Sequence, residues 1–280
     1  MMKNGGREVE MNIGVGFIGA GKMGSAIAKA IAKSRVISPE KIYIYDVDTN
    51  KSSQLGRESG ATVLKSNEEV IKKSDIIILA VVPGVIRTVL EPCKHLFNNK
   101  ILVSIAAGVS ISTYKEILGD KAKVIRTMPN RPALVSEGMT LISYESSIIS
   151  KDEVEAVKAL FETTGRVEIL DENLMSEVIA LTSSSPAYIF MLIESMADAA
   201  VSYGIPRKSA YIMAAQAVLG SAKMVLETGK HPAELKDEIC TPAGTTIEAV
   251  KTLEKNSFRY AIIEAMENCT IKAREIGKNH

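Results

Sequence analysis

Residues 12–24 read NIGVGFIGAGKMG, an apolar run that leads into a glycine-rich turn. Two matches to the pattern G-x-G-x-x-G overlap in it, one starting at Gly14 and one at Gly19. The first match would place Phe17 and Ile18 in the turn, where apolar side chains gain nothing. The second match follows a predicted strand and opens a predicted helix, which is the context that a phosphate-binding loop requires. We therefore take the second match as the working loop.

Each glycine of this loop has a physical reason to be there. Gly19 permits a tight turn, Gly21 lets the backbone approach a pyrophosphate, and Gly24 lets the helix and strand pack closely. The free N–H groups and the positive dipole end of the helix would then face the phosphates. The pattern predicts dinucleotide binding, and the alternative is a glycine-rich turn without a ligand.

The first half of the chain alternates short β-rich runs with helical stretches. Predicted strands cover residues 12–18, 41–46, 75–82, 100–104, 123–127 and 139–143. Predicted helices cover residues 22–33, 49–59, 68–73, 85–97 and 110–118. Several strands are near-continuous Val, Ile and Leu, as expected when both faces of a parallel sheet are buried. The alternation predicts an α/β fold, a Rossmann domain with a mostly parallel sheet over residues 11–165.

After residue 165 helical periodicity dominates, which predicts an all-helical domain over residues 166–280. Ser185 and Pro186 fit the N-cap and first position of a long helix over 186–203, and 210–226 is similarly rich in Ala and Met. Both helices are apolar nearly all round and need neighbours on every side. We expect a partner subunit to cover them. Residues 1–10 are expected to be a flexible extension.

Composition narrows the function classes. The formal net charge is +1, so no basic field is available to hold nucleic acid or an anionic membrane. The three cysteines are an odd number at wide spacing, which indicates free thiols in a reducing compartment, and no metal site is predicted. The N-terminus is polar, and the apolar runs noted are shorter than a membrane span. We expect a cytoplasmic protein.

Asp46 ends the second predicted strand, at the position that meets the adenosine ribose in such folds. A carboxylate there favours the free 2′-hydroxyl of NADH and repels a 2′-phosphate. The equally weighted alternative is an aspartate that only starts a turn.

Several segments appear in the same order as in the pyrroline-5-carboxylate reductase family. They are GAGKMG (19–24), VSIAAG (103–108), MPN (128–130), EGMT (137–140), SSPAY (184–188), ESMADAA (194–200) and TPAGTTI (241–247). The chain resembles that family from about Met11 to Glu275, and the last three segments are more specific than the glycine-rich loop.

The resemblance implies a reaction and an assembly. NADPH or NADH would give a hydride to the C=N carbon of 1-pyrroline-5-carboxylate, a small-molecule substrate, and yield L-proline. The family also implies a homodimer formed through the helical domain, which is often assembled further into a decamer.

The resemblance also implies site residues, carried over by position. The cofactor contacts are Gly19, Ala20, Gly21, Lys22, Met23, Gly24, Asp46, Asn67, Val81, Pro83, Ala107 and Asn130. The substrate contacts are Thr241, Ala243, Gly244, Thr245 and Thr246. Backbone N–H groups of this second set would hold the substrate carboxylate, and the Thr246 hydroxyl, the expected catalytic group, would meet the ring nitrogen.

A structural interpretation of the substrate loop stands beside this one. Thr245 and Glu248 fit a capping box, with Thr245 as the N-cap. Both interpretations can hold together, with Thr245 capping the helix while Thr246 faces the ligand.

The sequence departs from the family pattern at three points near the expected site. Val82 stands where the family usually has Lys, Arg131 where it has Thr, and Ala243 where it has Gly. One hypothesis is that Arg131 returns the missing cation to the same pocket; the alternative is a solvated loop residue. These departures bear on the substrate and the rate.

Three rival functions remain. One is a paralogue that reduces another small cyclic imine acid, and another is a non-catalytic NAD(P)-binding regulator. A β-hydroxyacid dehydrogenase has a similar architecture, but it would carry a catalytic lysine on the first long helix of the second domain. The segment 181–188 offers no lysine, which counts against that class.

Overall fold

The computed structural model of the chain describes residues 11–277, so the predicted extension over 1–10 lies outside the described residues. Eight strands form one sheet. They are β1 (Val15–Ile18), β2 (Ile42–Tyr45), β3 (Thr62–Val63), β4 (Ile76–Leu79), β5 (Ile101–Ser104), β6 (Lys123–Pro129), β7 (Gly138–Tyr144) and β8 (Gly165–Ile169).

The order of the strands places a crevice between β1 and β4. The sheet runs β3-β2-β1-β4-β5-β6-β7-β8, and all neighbours are parallel except β6 and β7. In open sheets of this order, ligands bind at the carboxyl ends of the strands, at the point where the strand order reverses direction. Here that point lies between β1 and β4. The prediction of a mostly parallel Rossmann sheet is confirmed.

Six helices connect these strands. They are α1 (Lys22–Ser34), α2 (Thr49–Ser59), α3 (Asn67–Lys73), α4 (Ile86–Leu90), α5 (Ile111–Leu118) and α6 (Lys151–Glu162). Two separate apolar clusters result, one built around Phe17, Ile27 and Phe161 and the other around Leu102 and Tyr114. Strands buried on both faces explain the continuous apolar runs in the sequence.

Two strands were not predicted. β3 has only two residues, and β8 alternates apolar with charged residues in GRVEI, which gives no apolar run to recognise. β8 pairs with β7 beyond the expected domain boundary, and within the described residues the first compact unit covers 11–183 and 272–277. The division therefore lies later than residue 165. β8 is possible because Gly165 has φ 144° and packs directly against Gly138.

The predicted helix over 85–97 was wrong as a single element. The segment is a 3-10 turn over Pro83–Val85, the short α4, and a second 3-10 stretch over Glu91–Leu96. Pro92 lacks a backbone N–H and clashes with the preceding turn, so the α-helix stops before it. By contrast α6, which was not predicted, carries a complete capping box between Ser150 and Glu153.

The second compact unit spans Ser184–Ile271 and is all-helical. Its helices are α7 (Ser185–Ser202), α8 (Arg207–Thr228), α9 (Pro232–Ile239), α10 (Thr245–Lys255) and α11 (Phe258–Gly277), which runs past its end. The predicted helical character is confirmed. The N-cap of α7 is Ser184 and not Ser185, because a π-helical turn over Ile179–Ser183 leads straight into the helix.

Helix α8 has an unusual composition for a helix of a small domain. It is the one helix among residues 11–277 that is long and apolar enough to cross a membrane by length and composition, and little of it is buried. Arg207, Lys208 and Lys223 lie within it. A core helix of a soluble protein passes the same test of length and composition.

Candidate dinucleotide site and substrate loop

The glycine-rich loop has the geometry that its sequence predicted. Gly19 has φ 102°, and a Cβ there would lie 2.5 Å from the carbonyl oxygen of Ala80. A Cβ on Gly24 would lie 2.8 Å from the Ala80 methyl, whereas one on Gly21 would meet nothing within 4 Å. Gly19 and Gly24 are thus required by turn and packing, and Gly21 leaves its backbone open to a ligand.

The overlapping match has a purely structural role. A Cβ on Gly14 would lie 2.4 Å from the carbonyl oxygen of Lys73, and one on Gly16 would lie 2.4 Å from Oγ of Ser74. Both glycines allow β1 to pack against the end of α3. The choice of the second match over the first is therefore supported by the contacts of all five glycines.

The N-terminus of α1 presents free donors. The first helical bond runs from the Ser25 N–H to the carbonyl of Gly21, and no side chain caps the helix. Beside it, an open cleft of about 340 Å³ is lined by Ala20, Gly21, Lys22, Ser25, Lys29, Lys51, Gln54, Leu55, Glu58 and Leu134. Uncapped N–H groups next to an open cleft suit an anionic ligand.

Sequence reasoning missed the α2 side of this cleft. Lys51, Gln54, Leu55 and Glu58 all line it. Their spacing of three and four residues puts them on one helical face. That spacing was readable, but nothing in the sequence said that this face of α2 turns toward the loop. Lys22, the predicted contact on α1, is exposed and has no ion-pair partner among residues 11–277.

Asp46 ties the glycine-rich loop to the next helix. Its Oδ2 accepts a hydrogen bond from the Ala20 N–H at 2.6 Å, and its Oδ1 accepts one from the Asp48 N–H at 2.8 Å. Asp48 in turn caps α2 by accepting from the Asn50 N–H at 3.1 Å. Asp46 therefore does start a turn. Its carboxylate keeps lone pairs for a ribose hydroxyl, so that contact stays a prediction.

One buried atom of the predicted site lacks a partner. The atom is Oδ1 of Asn67, which is buried and accepts no hydrogen bond from any of the described residues. Asn67 opens α3 just after β3, at the edge of the sheet where β1 and β2 also end. Buried acceptors are rarely left unpaired, and a ribose hydroxyl would supply the missing donor. The residues present therefore fit a dinucleotide.

The other half of the predicted cofactor site follows β4, β5 and β6. Val81 and Pro83 follow β4, Ala107 follows β5, and Asn130 follows β6. Because these strands are parallel neighbours, their carboxyl ends share one edge. The Asn130 amide, however, donates to the Thr182 carbonyl at 2.9 Å and accepts from the Met139 N–H at 2.9 Å. The side chain therefore joins two parts of the chain, and its second N–H and second lone pair remain for a cofactor contact, which stays a prediction.

The predicted substrate loop lies in the helical unit, between α9 and α10. The Gly244 N–H donates to the Thr241 carbonyl at 3.0 Å, which closes a tight turn. A Cβ on Gly244 would lie 2.3 Å from Oγ1 of Thr241, so the Thr241 side chain would have to move to admit a larger residue. The hydroxyl of Thr246 makes no hydrogen bond among the described residues, and its role stays a prediction.

The predicted capping box was wrong. The N-cap of α10 is Gly244, and Thr245 is already the first helical residue, so its hydroxyl cannot reach the orphan N–H groups. No side chain caps this helix. Its first N–H groups therefore remain available, as the carboxylate-binding interpretation requires.

The three departures from the family pattern occupy different surroundings. Ala243 has φ 56°, a left-handed conformation that costs an L-residue about 1 kcal/mol and that glycine adopts freely. Val82 and Arg131 are both exposed and follow β4 and β6, which are separated by β5. No hydrogen bond or ion pair of Arg131 occurs within the described residues, and its suggested compensation for Val82 stays a hypothesis.

Comparisons with known proteins agree with this arrangement. Residues 172–276 match the family described as pyrroline-5-carboxylate reductase dimerisation, and residues 14–108 match the family described as NADP oxidoreductase, coenzyme F420-dependent. The pyrroline-5-carboxylate reductase of Escherichia coli (strain K12) is 45% identical over 266 residues, which cover 95% of this chain and 98% of that protein.

Two solved structures extend the similarity to the fold. A pyrroline-5-carboxylate reductase from Coxiella burnetii superposes with a TM-score of 0.90 at 28% identity, covering 95% of this chain and 99% of that one. Pyrroline carboxylate reductase from Plasmodium falciparum, solved with NADP bound, gives 0.82 at 32% identity, covering 95% and 98%. With a nucleotide loop, a helical unit and a full-length relative all in agreement, the chain belongs to the pyrroline-5-carboxylate reductase family.

Proposed function

We propose that this chain reduces 1-pyrroline-5-carboxylate to L-proline with a nicotinamide cofactor. The observation that carries the proposal is the 45% identity to the Escherichia coli enzyme across both compact units. A likeness of the Rossmann unit alone would leave the substrate open, because that fold serves many reactions. Here the similarity includes the helical unit and its uncapped loop.

The Rossmann unit binds and orients the cofactor. When bound, the nicotinamide ring supplies the hydride. The N–H groups at the start of α1 hold the pyrophosphate, and the open backbone at Gly21 lets it approach. Oδ1 of Asn67 accepts a hydrogen bond from a ribose hydroxyl. These contacts fix the cofactor across the crevice at the carboxyl ends of the strands.

The helical unit binds the substrate. The free N–H groups at the start of α10 receive its carboxylate, and the Thr246 hydroxyl meets the ring nitrogen. A cyclic imine is a reactive electrophile, most of all when protonated. Its reduction therefore needs mainly positioning and a hydrogen-bonding group at nitrogen, without a catalytic carboxylate pair or nucleophile.

We further propose that the chain prefers NADH to NADPH. The N–H groups of Ala20, Asp48 and Asn50, which surround the end of β2, are already satisfied by the carboxylates of Asp46 and Asp48. Although burial raises the pKa of Asp48, hydrogen bonds from Asn50 and Lys51 hold it below its ordinary value, so the carboxylate stays charged at neutral pH. A 2′-phosphate at the end of β2 would meet these two negative charges.

The chain is proposed to act as a homodimer in the cytoplasm, with a decamer as a further level of assembly. Support for the dimer comes from the match of residues 172–276 to a dimerisation family. Support for a reducing compartment comes from Cys93, Cys240 and Cys269, which are all free thiols. No membrane or nucleic-acid partner is part of the proposal.

A steady-state assay tests the proposal against its rivals. Purified protein is mixed with NADH or NADPH and with either 1-pyrroline-5-carboxylate or its six-membered analogue, 1-piperideine-carboxylate, and loss of reduced cofactor is followed. We expect the highest kcat/KM with pyrroline-5-carboxylate and NADH. Higher kcat/KM with the larger ring would favour the paralogue, and cofactor binding without any turnover would favour the regulator.

A further inference from the structure

The loop between β5 and α5, residues 105–110, lies beside the expected nicotinamide end of the crevice. It follows β5, which neighbours β4 at the edge of the sheet where ligands bind in this fold. Ala107 is exposed within it, and Gly108 has φ 78°. Packing holds Ala106 and Val109, which are buried in one of the two apolar clusters, and hydrogen bonds at both ends of the loop add to that packing.

The first end of the loop is fixed from below by a buried tyrosine. Tyr114 is fully buried, and its hydroxyl bonds Oγ of Ser104, which is also fully buried. Oγ of Ser104 accepts a hydrogen bond from the Ala106 N–H at 3.1 Å. The Ser104 carbonyl accepts from the hydroxyl of Thr127 on β6 at 2.9 Å. The backbone at Ala106 is therefore linked, through the hydroxyl of Ser104, to the buried hydroxyl of Tyr114.

The second end is fixed by a carboxylate from a distant part of the chain. Oε1 of Glu172 accepts a hydrogen bond from the Ile111 N–H, the first residue of α5, at 2.7 Å. The same oxygen accepts from Nη1 of Arg126 on β6 at 3.0 Å. The Arg126 side chain is only 10% exposed, and that of Glu172 is 32% exposed. The loop is thus tied at Ala106 and again at Ile111.

The ion pair between Arg126 and Glu172 is not explained by a gain in folding stability. A buried ion pair adds little stability over an apolar pair of the same volume, because desolvation offsets the attraction. Burial raises the pKa of Tyr114 to about 12, so the phenol stays protonated and its hydrogen bond persists throughout the neutral range. The side chains that anchor the six-residue loop are those of Ser104, Tyr114, Arg126 and Glu172. None of the four is expected to take part in the hydride transfer.

We propose that Tyr114, with Ser104, and Arg126, with Glu172, are positioning residues that hold the loop 105–110 in the shape that receives the nicotinamide ring. This inference rests on the proposed cofactor site. It does not depend on the identity of the imine substrate. It predicts that loosening either anchor weakens contacts with the nicotinamide half of the cofactor and leaves the adenosine half untouched.

Two probes separate these halves. NADH carries both halves, whereas ADP-ribose lacks only the nicotinamide ring. Calorimetric titration with each probe is made on the full chain and on the variants Tyr114→Phe, Arg126→Gln and Glu172→Gln. Tyr203→Phe and Glu168→Gln are matched controls, because both residues are exposed and outside the network.

We expect Tyr114→Phe and Arg126→Gln each to raise the Kd of NADH by about 3–10-fold, the value of one lost hydrogen bond to the loop, and to change the Kd of ADP-ribose by less than about twofold. Arg126→Lys should recover part of the NADH affinity, since it restores the cation but not the planar fork. The controls should match wild type with both probes.

Three results would overturn the inference. Equal weakening of both probes, or a lower Tm with unchanged NADH binding, would make the network merely structural. If wild type binds neither probe, the dinucleotide site itself is wrong. Should Arg126→Gln fail to fold, Ser104→Ala tests the first anchor alone. Absence of pyrroline-5-carboxylate reduction would not affect the comparison of probes, so the two failures remain distinguishable.

Discussion

The two compact units of this chain bury their apolar residues very differently. The Rossmann unit has two dense clusters, one on each face of the sheet, built from large side chains that are almost fully buried. In the described part of the helical unit, the buried apolar residues are Ala197, Ala210, Ala214 and Leu235.

The large side chains of the helical unit are instead exposed. Phe190 and Met191 on α7 are 61% and 66% exposed, and Ile212 and Met213 on α8 are 63% and 60% exposed. Exposed apolar surface of this extent marks an interface in a soluble protein. One unit is therefore stabilised by its own core, whereas the other leaves its large apolar side chains exposed, and we propose that a partner subunit covers them.

The largest expected effect comes from placing a charge on that surface. Phe190→Glu should weaken dimerisation by at least ~3 kcal/mol, about 100-fold in association constant, because an unpaired charge would be buried at the interface. Sedimentation velocity at micromolar concentration measures it. Val63→Glu, on the edge strand of the Rossmann unit, is the control and should remain dimeric. A Phe190→Glu protein that stays dimeric would remove this face from the interface.

The second prediction concerns a glycine in each unit. Gly165→Ala should destabilise the Rossmann unit by about 3 kcal/mol or more, because its φ is 144° and its Cβ would lie 2.0 Å from the Gly138 carbonyl oxygen. Gly220→Ala on α8 meets nothing within 4 Å and should add up to ~1 kcal/mol of helix stability. Urea unfolding measures both. A loss at Gly220 would indicate that a partner backbone approaches closely there.

The third prediction separates binding from stability in the helical unit. Thr246→Ala should lower kcat at least ~10-fold, since one hydrogen bond to a charged or charging group is worth about 1.5–3 kcal/mol. Its Tm should change little, because the hydroxyl makes no hydrogen bond within the described residues. Thr245→Ala is the matched control and should keep most of its activity. Wild-type turnover in Thr246→Ala would exclude this hydroxyl from the mechanism.

The fourth prediction concerns cofactor choice in the Rossmann unit. Asp46→Ser should raise kcat/KM for NADPH relative to NADH by about tenfold, because it removes a charge facing the 2′-phosphate position. Some loss with both cofactors is expected, since the hydrogen bonds to Ala20 and Asp48 are also weakened. Thr49→Ser, in the same turn, should leave the ratio unchanged. An unchanged ratio in Asp46→Ser would restrict Asp46 to its turn.

The smallest effect is expected at the departure in the substrate loop. Ala243→Gly should raise the stability of the helical unit by up to ~1 kcal/mol, because glycine adopts φ 56° without strain. The gain is reduced by the greater freedom of glycine in the unfolded chain. Differential scanning calorimetry measures it, with Ala215→Gly in α8 as a control that should lose stability. A clear loss at Ala243 would mean that its methyl group packs against a partner.

The sequence predicted structure best where a residue's role depends on residues close to it in the chain. Periodicity predicted the buried strands, and the spacing of Gly19, Gly21 and Gly24 predicted the loop, because each role depends on backbone close by. The predicted capping box at Thr245 was wrong by a single residue, because the helix starts one position earlier and its N-cap is Gly244. A short sequence pattern therefore predicts that a helix begins nearby better than it predicts the residue at which the helix begins.

Contacts between distant residues could not be predicted. Arg126 and Glu172 are separated by 46 residues, and Asn130 and Thr182 by 52, so no local pattern relates them. Each pair forms only because β6 lies next to the chain that follows β8. β8 itself escaped prediction because its charged residues hide the strand pattern. The resemblance supplied the substrate loop, which no physical argument from one sequence had singled out.

Transfer of the hydride from cofactor to substrate can be followed directly with an isotope label. Purified protein is incubated with 1-pyrroline-5-carboxylate and NADH deuterated at the transferred position, and the amino-acid product is analysed by mass spectrometry. We predict L-proline with a single deuterium at the carbon of the former C=N bond. Consumption of cofactor without labelled proline, or no consumption of cofactor with this substrate, would contradict it.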